Sequence, residues 1–203
     1  MTRQDRRPRQ RLDPERRQEA ILSAAAEVFR ERGYADTAVS AIADRAGASE
    51  ALLYRYFTSK DLLYAHLVRR AIDELLAQQA DALRALPDGV PVRDRLGAAT
   101  LVYLDHVAGH PAAWAIPFRR PGAEPAAAVA VRVEARSEYV ERLRRLLAPR
   151  TSRRHEYALW GYFGFLEAAC LRWVDEGCPE DGRWPLVDAA LGSLEGALGD
   201  WDA

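Results

Sequence analysis

Apolar residues in this chain recur every three or four positions, in run after run, and each run is cut off by glycine or proline. Ile21, Ala24, Ala25, Val28 and Phe29 mark one helical face ahead of Gly33, and Leu96, Leu101, Leu104 and Val107 mark another ahead of Gly109-His110-Pro111. No stretch shows the period-two alternation of a half-buried strand. The chain is therefore predicted to be all-α, with about nine helices and no internal repeat. Its 203 residues suffice for one ordinary domain or two small ones.

The helices arrive in an uneven order. Met1 to Leu12 lacks apolar periodicity and reads as a flexible basic arm. Asp13 with Pro14 opens a medium helix that Gly33 stops. Thr37 is expected to cap a short helix carrying Val39, Ile42, Ala43 and Ala46, ended by Gly47. Ser49 is expected to cap a second short helix with Leu53 and Phe57 on its apolar side. Ser59, Asp61 and Leu62-Leu63 begin a much longer helix, expected to reach about Leu86 before Pro87-Asp88-Gly89. Later helices are expected over Pro91–Ala108, around Trp114, over Glu124–Ala148 and Ser152–Glu176, and finally over Trp184–Leu198. The organisation is thus an arm (1–12), a three-helix head (13–60) and a helical body (61–203).

Two short helices joined by a glycine turn make a helix-turn-helix candidate. A helix of a few turns fits the major groove, about 12 Å wide, while its partner crosses behind to fix its angle. Gly47 supplies the turn, because a Cβ would strain a left-handed backbone. Ala43 and Ala46 are small enough for close approach, and Ile42, Leu53 and Phe57 are large enough to bind the pair to the first helix.

The run Ala20-Ile21-Leu22, Ala25-Ala26, Phe29, Gly33-Tyr34, Thr37, Val39 to Ala43, Ala46-Gly47, Ser49, Leu53 to Phe57 and Ser59 to Leu63 resembles the DNA-binding head of the TetR family of transcriptional repressors. The resemblance covers residues 17–65; beyond Leu67 it is architectural. It implies phosphate contacts at the start of the second helix, here Thr37 and Ser40. It implies a third helix in the major groove, presenting Ser49, Glu50, Ala51, Leu52 and Arg55 to base edges. Tyr54 and Tyr56 match the aromatic pair against the DNA backbone, and Lys60, the only lysine in the chain, matches a phosphate-gripping lysine. Glu50-Ala51 departs from the commoner family pairs: Glu50 either accepts from a cytosine amino group or complements the helix dipole. Leu52 either meets a thymine methyl or packs inward. Arg3, Arg6, Arg7, Arg9 and Arg11 either read an adjacent minor groove or add non-specific phosphate attraction.

The same resemblance implies a homodimer on a palindrome-like double-stranded operator, paired through helices 152–176 and 184–198. Apolar residues on more than one face of the first of these, with Gly161 and Gly164, suit that pairing. It also implies a small-molecule effector among the middle helices. Candidate ligand residues are Tyr103, His106, Trp114, Phe118, Tyr139, Trp160, Phe163 and Glu167; each aromatic has core packing as its alternative. Glu167 either anchors a ligand or pairs with an arginine of a neighbouring helix.

Composition excludes several classes. No apolar run approaches the roughly 18 residues of a membrane span, and no apolar segment follows the basic N-terminus, so the expected address is the cytoplasm, with the nucleoid when on DNA. Residues 1–60 carry a balance of +3 and the rest −4, so the basic head either meets a polyanion partner or is a solvated tail. Cys170 and Cys178 form no disulfide framework, and no phosphate loop, dinucleotide fingerprint or GxSxG elbow occurs. His106 and His110 stand four apart without a third ligand fixed nearby. No enzyme activity, cofactor or metal is expected. The leading reading is a repressor released by a small ligand; a helical small-molecule binding protein and a DNA-binding regulator controlled by a protein partner are the alternatives.

Overall fold

The computed structural model describes residues 13–147 and 152–199; the five arm arginines lie outside them. The described residues form α1 (Pro14–Arg32), α2 (Val39–Arg45), α3 (Glu50–Tyr56), α4 (Lys60–Arg84), α5 (Val92–Gly109), α6 (Pro111–Arg119), α7 (Ala126–Leu147), α8 (Arg153–Asp175) and α9 (Arg183–Leu198), with a 3₁₀ turn at Glu180–Gly182 and no strand. The fold is all-α. Packing divides the chain into two units, Met1–Leu67 and Val68–Ala203. That division falls inside α4, seven residues beyond the boundary suggested by the helix start, because Leu63, Tyr64 and Leu67 still pack with the core of the first unit.

In the first unit, Ile21, Leu22, Ala25, Val28 and Phe29 of α1 meet Ile42, Leu53, Phe57 and Leu63 in one cluster. The link from α2 to α3 is a Schellman turn: Ala48 N–H donates to Ala43 O at 2.9 Å and Gly47 N–H to Asp44 O at 3.1 Å. Gly47 sits at φ +60°, the left-handed region that an L side chain resists. Ser49 caps α3, its hydroxyl accepting from Leu52 N–H at 3.2 Å, and Ser59 accepts from Leu62 N–H at 3.1 Å. Thr37 does not cap α2. Ala38 holds the N-cap position, and the Thr37 hydroxyl turns back to donate to Gly33 O at 2.6 Å.

In the second unit α8 packs along α9, α5 lies against both, and α6 and α7 also meet α8. The inward face of α8 is Ala158, Leu159, Tyr162, Leu166, Cys170 and Trp173, at helical spacing. Its other face leaves Tyr157, Trp160 and Phe165 exposed beside Gly161 and Gly164. Two details were not expected from sequence: α6 runs through Pro117 to Arg119, and the 3₁₀ turn precedes α9. No described helix is long and apolar enough to cross a membrane.

Candidate functional site

In the first unit, α3 turns Leu53 inward and exposes Glu50, Ala51, Tyr54 and Arg55, with Leu52 and Tyr56 half-buried at its sides. Ser40 and Ser49 are exposed at the starts of α2 and α3. Arg55 makes no ion pair among the described residues, so its guanidinium is available to an external anion. The second and third helices are held from behind. Arg45 of α2 bonds Glu27 at 2.9 Å and Glu31 at 3.0 Å on α1, and this bond holds the Glu31 carboxyl below its usual range.

Two of the expected phosphate contacts, Thr37 before α2 and Lys60 at the start of α4, have partners within the chain. Thr37 is only 3% exposed. The Lys60 ammonium donates to Tyr34 O and Thr37 O, each at 3.0 Å, and lies 4.3 Å from the centre of the Tyr34 ring. The next residue, Asp61, accepts a hydrogen bond from the Tyr34 hydroxyl. Burial and that carboxylate push the Tyr34 phenol up to about 12. The first turn of α4 thus clamps the α1–α2 loop by its backbone and by its tyrosine. Asp61 and Tyr34 carry this clamp without having been singled out for it in the sequence, where only long-range pairing could reveal it.

The second unit holds a cavity of about 340 Å³. Its walls are α4 (Ile72, Leu75, Gln79, Leu83), α5 (Leu96, Thr100, Tyr103, His106), α6 (Trp114, Phe118), α7 (Arg132, Arg136, Tyr139, Arg142) and α8 (Tyr162, Phe163, Glu167). Seven of the eight candidate ligand residues meet in this one cavity. Trp160 does not: it stands on the outer face of α8 and is 44% exposed. Tyr162, two residues on from Trp160, lines the wall in its place.

Most polar groups of the wall already have partners. Thr100 gives its one proton to Leu96 O at 2.8 Å, so Tyr162 is the donor in the 2.9 Å bond between their hydroxyls. Trp114 Nε1–H donates to Tyr103 Oη at 2.9 Å. Arg132 forms a two-pronged pair with the buried Glu124, both bonds at 2.8 Å. Glu167 pairs with Arg136 of α7, yet burial raises its pKa against that attraction. Burial also lowers His106, aided by the neighbouring His110. His106 and His110 have ring centres 5.6 Å apart, and no group of three metal-ligating side chains gathers among the described residues. One group stands apart: the Tyr139 hydroxyl is buried with no hydrogen-bond partner among the described residues. Burial raises its pKa, and the Arg142 charge acts in the opposite sense.

Comparison with known proteins agrees with this geometry. Residues 21–67 match the family described as bacterial regulatory proteins, tetR family. The HTH-type transcriptional activator FasR of Mycolicibacterium smegmatis is 40% identical over 97 residues, 48% of this chain and 43% of FasR. The chain therefore spans less than half the length of that curated relative. Over nearly the whole chain, the crystal structure of a TetR-like transcriptional regulator from Rhodococcus sp. RHA1 is 30% identical with a TM-score of 0.64, covering 93% of this chain and 97% of the other. The transcriptional regulator FadR of Bacillus subtilis, solved with stearoyl-CoA, shares the fold at 19% identity and a TM-score of 0.66, covering 89% and 97%.

Proposed function

The chain belongs to the TetR family of bacterial regulatory proteins, and we propose that it is a sequence-specific DNA-binding transcriptional regulator whose DNA affinity is set by a small molecule in the body cavity. The observation that carries this reading is the exposed face of α3. Glu50, Ala51, Tyr54 and Arg55 stand on a helix of major-groove size, fixed by a Schellman turn and backed by an apolar core. Ser40, Ser49 and Tyr56 flank that face and supply phosphate contacts, while Arg55 and Leu52 supply base contacts. Thr37 and Lys60 act one step back, by setting the loop that aims α2.

Each head reads one half-site, so the working unit is a homodimer on a palindrome-like operator with half-sites about 34–36 Å apart. The dimer forms through the outer faces of α8 and α9, where Tyr157, Trp160, Phe165 and Trp184 are exposed beside Gly161, Gly164 and Gly192. We assign the free dimer to DNA as a repressor and the ligand-bound dimer to solution. Ligand and DNA then weaken each other by the same factor. The test is fluorescence anisotropy with DNA flanking the coding region, across a salt series, against random DNA. Selective binding that falls steeply with salt supports the reading; equal binding to both, with no selective site recovered from a random DNA pool, refutes it.

A further inference from the structure

The body cavity holds a buried tyrosine hydroxyl without a hydrogen-bond partner among the described residues, next to an arginine that lines the same wall, and that pairing selects one class of ligand. This inference rests on the regulator reading above and names the effector of the same cavity. Three arginines line the wall. Arg132 is neutralised by Glu124 and Arg136 by Glu167. Arg142 makes no ion pair among the described residues. It lies near enough to Tyr139 for its charge to bear on that phenol, and it is the charged group that does so. Tyr139 itself presents a buried O–H with no acceptor among the described residues. A buried unpaired donor is a standing cost that an acceptor in the cavity removes. Beside the polar side chains of Gln79, Thr100, Tyr103, His106 and Tyr162, the rest of the wall is mainly apolar, including Leu75, Leu83, Leu143 and Leu146, with the Phe163 ring edge-on to Tyr139 at 5.7 Å.

We propose that the effector is an apolar monocarboxylic acid, its carboxylate accepting a hydrogen bond from Tyr139 and facing Arg142, and its hydrocarbon part filling the leucine- and aromatic-lined remainder of the cavity. A neutral acceptor satisfies Tyr139 but leaves Arg142 unused, and a cation is repelled by Arg142. A second anionic group has no further uncompensated arginine to meet.

The test uses the full chain and three probe sets on matched hydrocarbon skeletons: saturated and aromatic monocarboxylates of increasing length, their methyl esters, and the corresponding primary amines. Binding is measured by calorimetry on the wild type, Tyr139→Phe and Arg142→Gln. At least one acid is expected to bind about tenfold or more tightly than its ester, with no binding of its amine. Each substitution is expected to weaken the acid by about tenfold and to leave the ester unchanged. Thermal melts without probe check that both variants fold; Arg142 is exposed. Ester or amine binding as tight as acid binding, acid binding indifferent to both substitutions, or no acid binding at all overturns the proposal. DNA affinity without probe is measured in parallel. Selective DNA binding with no acid bound sinks the ligand class alone, whereas acid binding through Tyr139 and Arg142 without selective DNA binding sinks the regulator reading alone.

Discussion

Replacing Lys60 by Met separates two roles that a lysine at this position can play. As a phosphate contact, it adds little to stability and about one to the slope of log affinity against log salt. As a strut, it does the reverse. The geometry favours the strut: two ammonium–carbonyl bonds of 3.0 Å to Tyr34 and Thr37, and a ring centre at 4.3 Å. A hydrogen bond to a charged group contributes about 1.5–3 kcal/mol, and the low end applies because this site is part-buried. An exposed cation–π contact adds about 0.5 kcal/mol. Water replaces some of this at the freed carbonyls, while Met keeps the packing of the stem, so the expected net loss is about 2 kcal/mol. For cooperative unfolding of a chain this size, that lowers the melting temperature by about 4–8 °C.

The assay pairs thermal denaturation with anisotropy across a salt series. Lys60→Met should melt lower and bind all sequences more weakly, with an unchanged salt slope. Lys60→Arg should fail to restore either property, since a planar guanidinium cannot stand in for a compact ammonium between two carbonyls and a ring. An unchanged melt, with the slope reduced by about one per protomer, or full rescue by arginine, would refute the strut.

Tyr139→Phe removes a buried hydroxyl that has no partner, so the free protein should lose no stability and gain up to about 1 kcal/mol, read by urea denaturation; a loss of that size contradicts the orphaned donor. A Cβ added at Gly161 meets nothing within 4 Å in one chain, so Gly161→Leu gains about 0.8 kcal/mol of helix propensity, yet it should weaken the dimer in light scattering while the chain stays helical. Glu167, whose folded pKa is raised, binds protons more readily folded than unfolded. Its contribution is therefore fullest below its ordinary pKa of 4.5 and declines as pH rises through the folded value. Glu167→Gln should flatten that part of the stability–pH profile, and an unchanged profile counts against the burial argument. Arg69→Ala removes the pairs to Glu134 and Glu138 on α7; it should weaken DNA binding and tighten ligand binding by the free protein, read by anisotropy and calorimetry.

What could be read from the sequence depended on how local the deciding interaction is. Ser49 caps α3 as expected, and Ser152 caps α8 in the same way, because a cap needs only a hydroxyl and a backbone N–H three residues on. Thr37 had the same local chemistry and a different outcome: its hydroxyl turns back to Gly33 O, in a loop that Lys60, 23 residues away, also holds. On α8, Trp160 and Phe163 were equally plausible as cavity residues. That helix is apolar on nearly every side, and periodicity alone does not tell an inward face from one that meets a second chain. Tyr162 was passed over for the same reason, although it reaches the cavity wall. Glu167 had been left between a ligand and an arginine, and the choice of Arg136 belongs to the packing of α7 on α8. The unpaired Tyr139 hydroxyl was illegible in principle, because the absence of a partner is a property of every neighbour at once.

One helix carries both halves of the proposed function. The first turn of α4 holds the loop that aims α2, and its later residues Ile72, Leu75, Gln79 and Leu83 wall the cavity. To move a population from almost all DNA-competent to almost all released, a ligand must prefer the released arrangement by about 5.5 kcal/mol. Only contacts that differ between the two arrangements count toward this. The polar ties that hold α4 within the second unit are of the kind a ligand can outbid. Beside the buried Val68, Leu75 and Leu76, they are the partly exposed pairs of Arg69 with Glu134 and Glu138 and a 2.9 Å bond from Gln79 to Ala99 O. Exposed pairs of this sort contribute about 0–1 kcal/mol each. The α8–α9 side, by contrast, is a continuous apolar cluster and too costly to rearrange. A ligand entering between them should therefore displace α4 and leave α8 and α9 in place, so that the dimer persists while the heads change spacing.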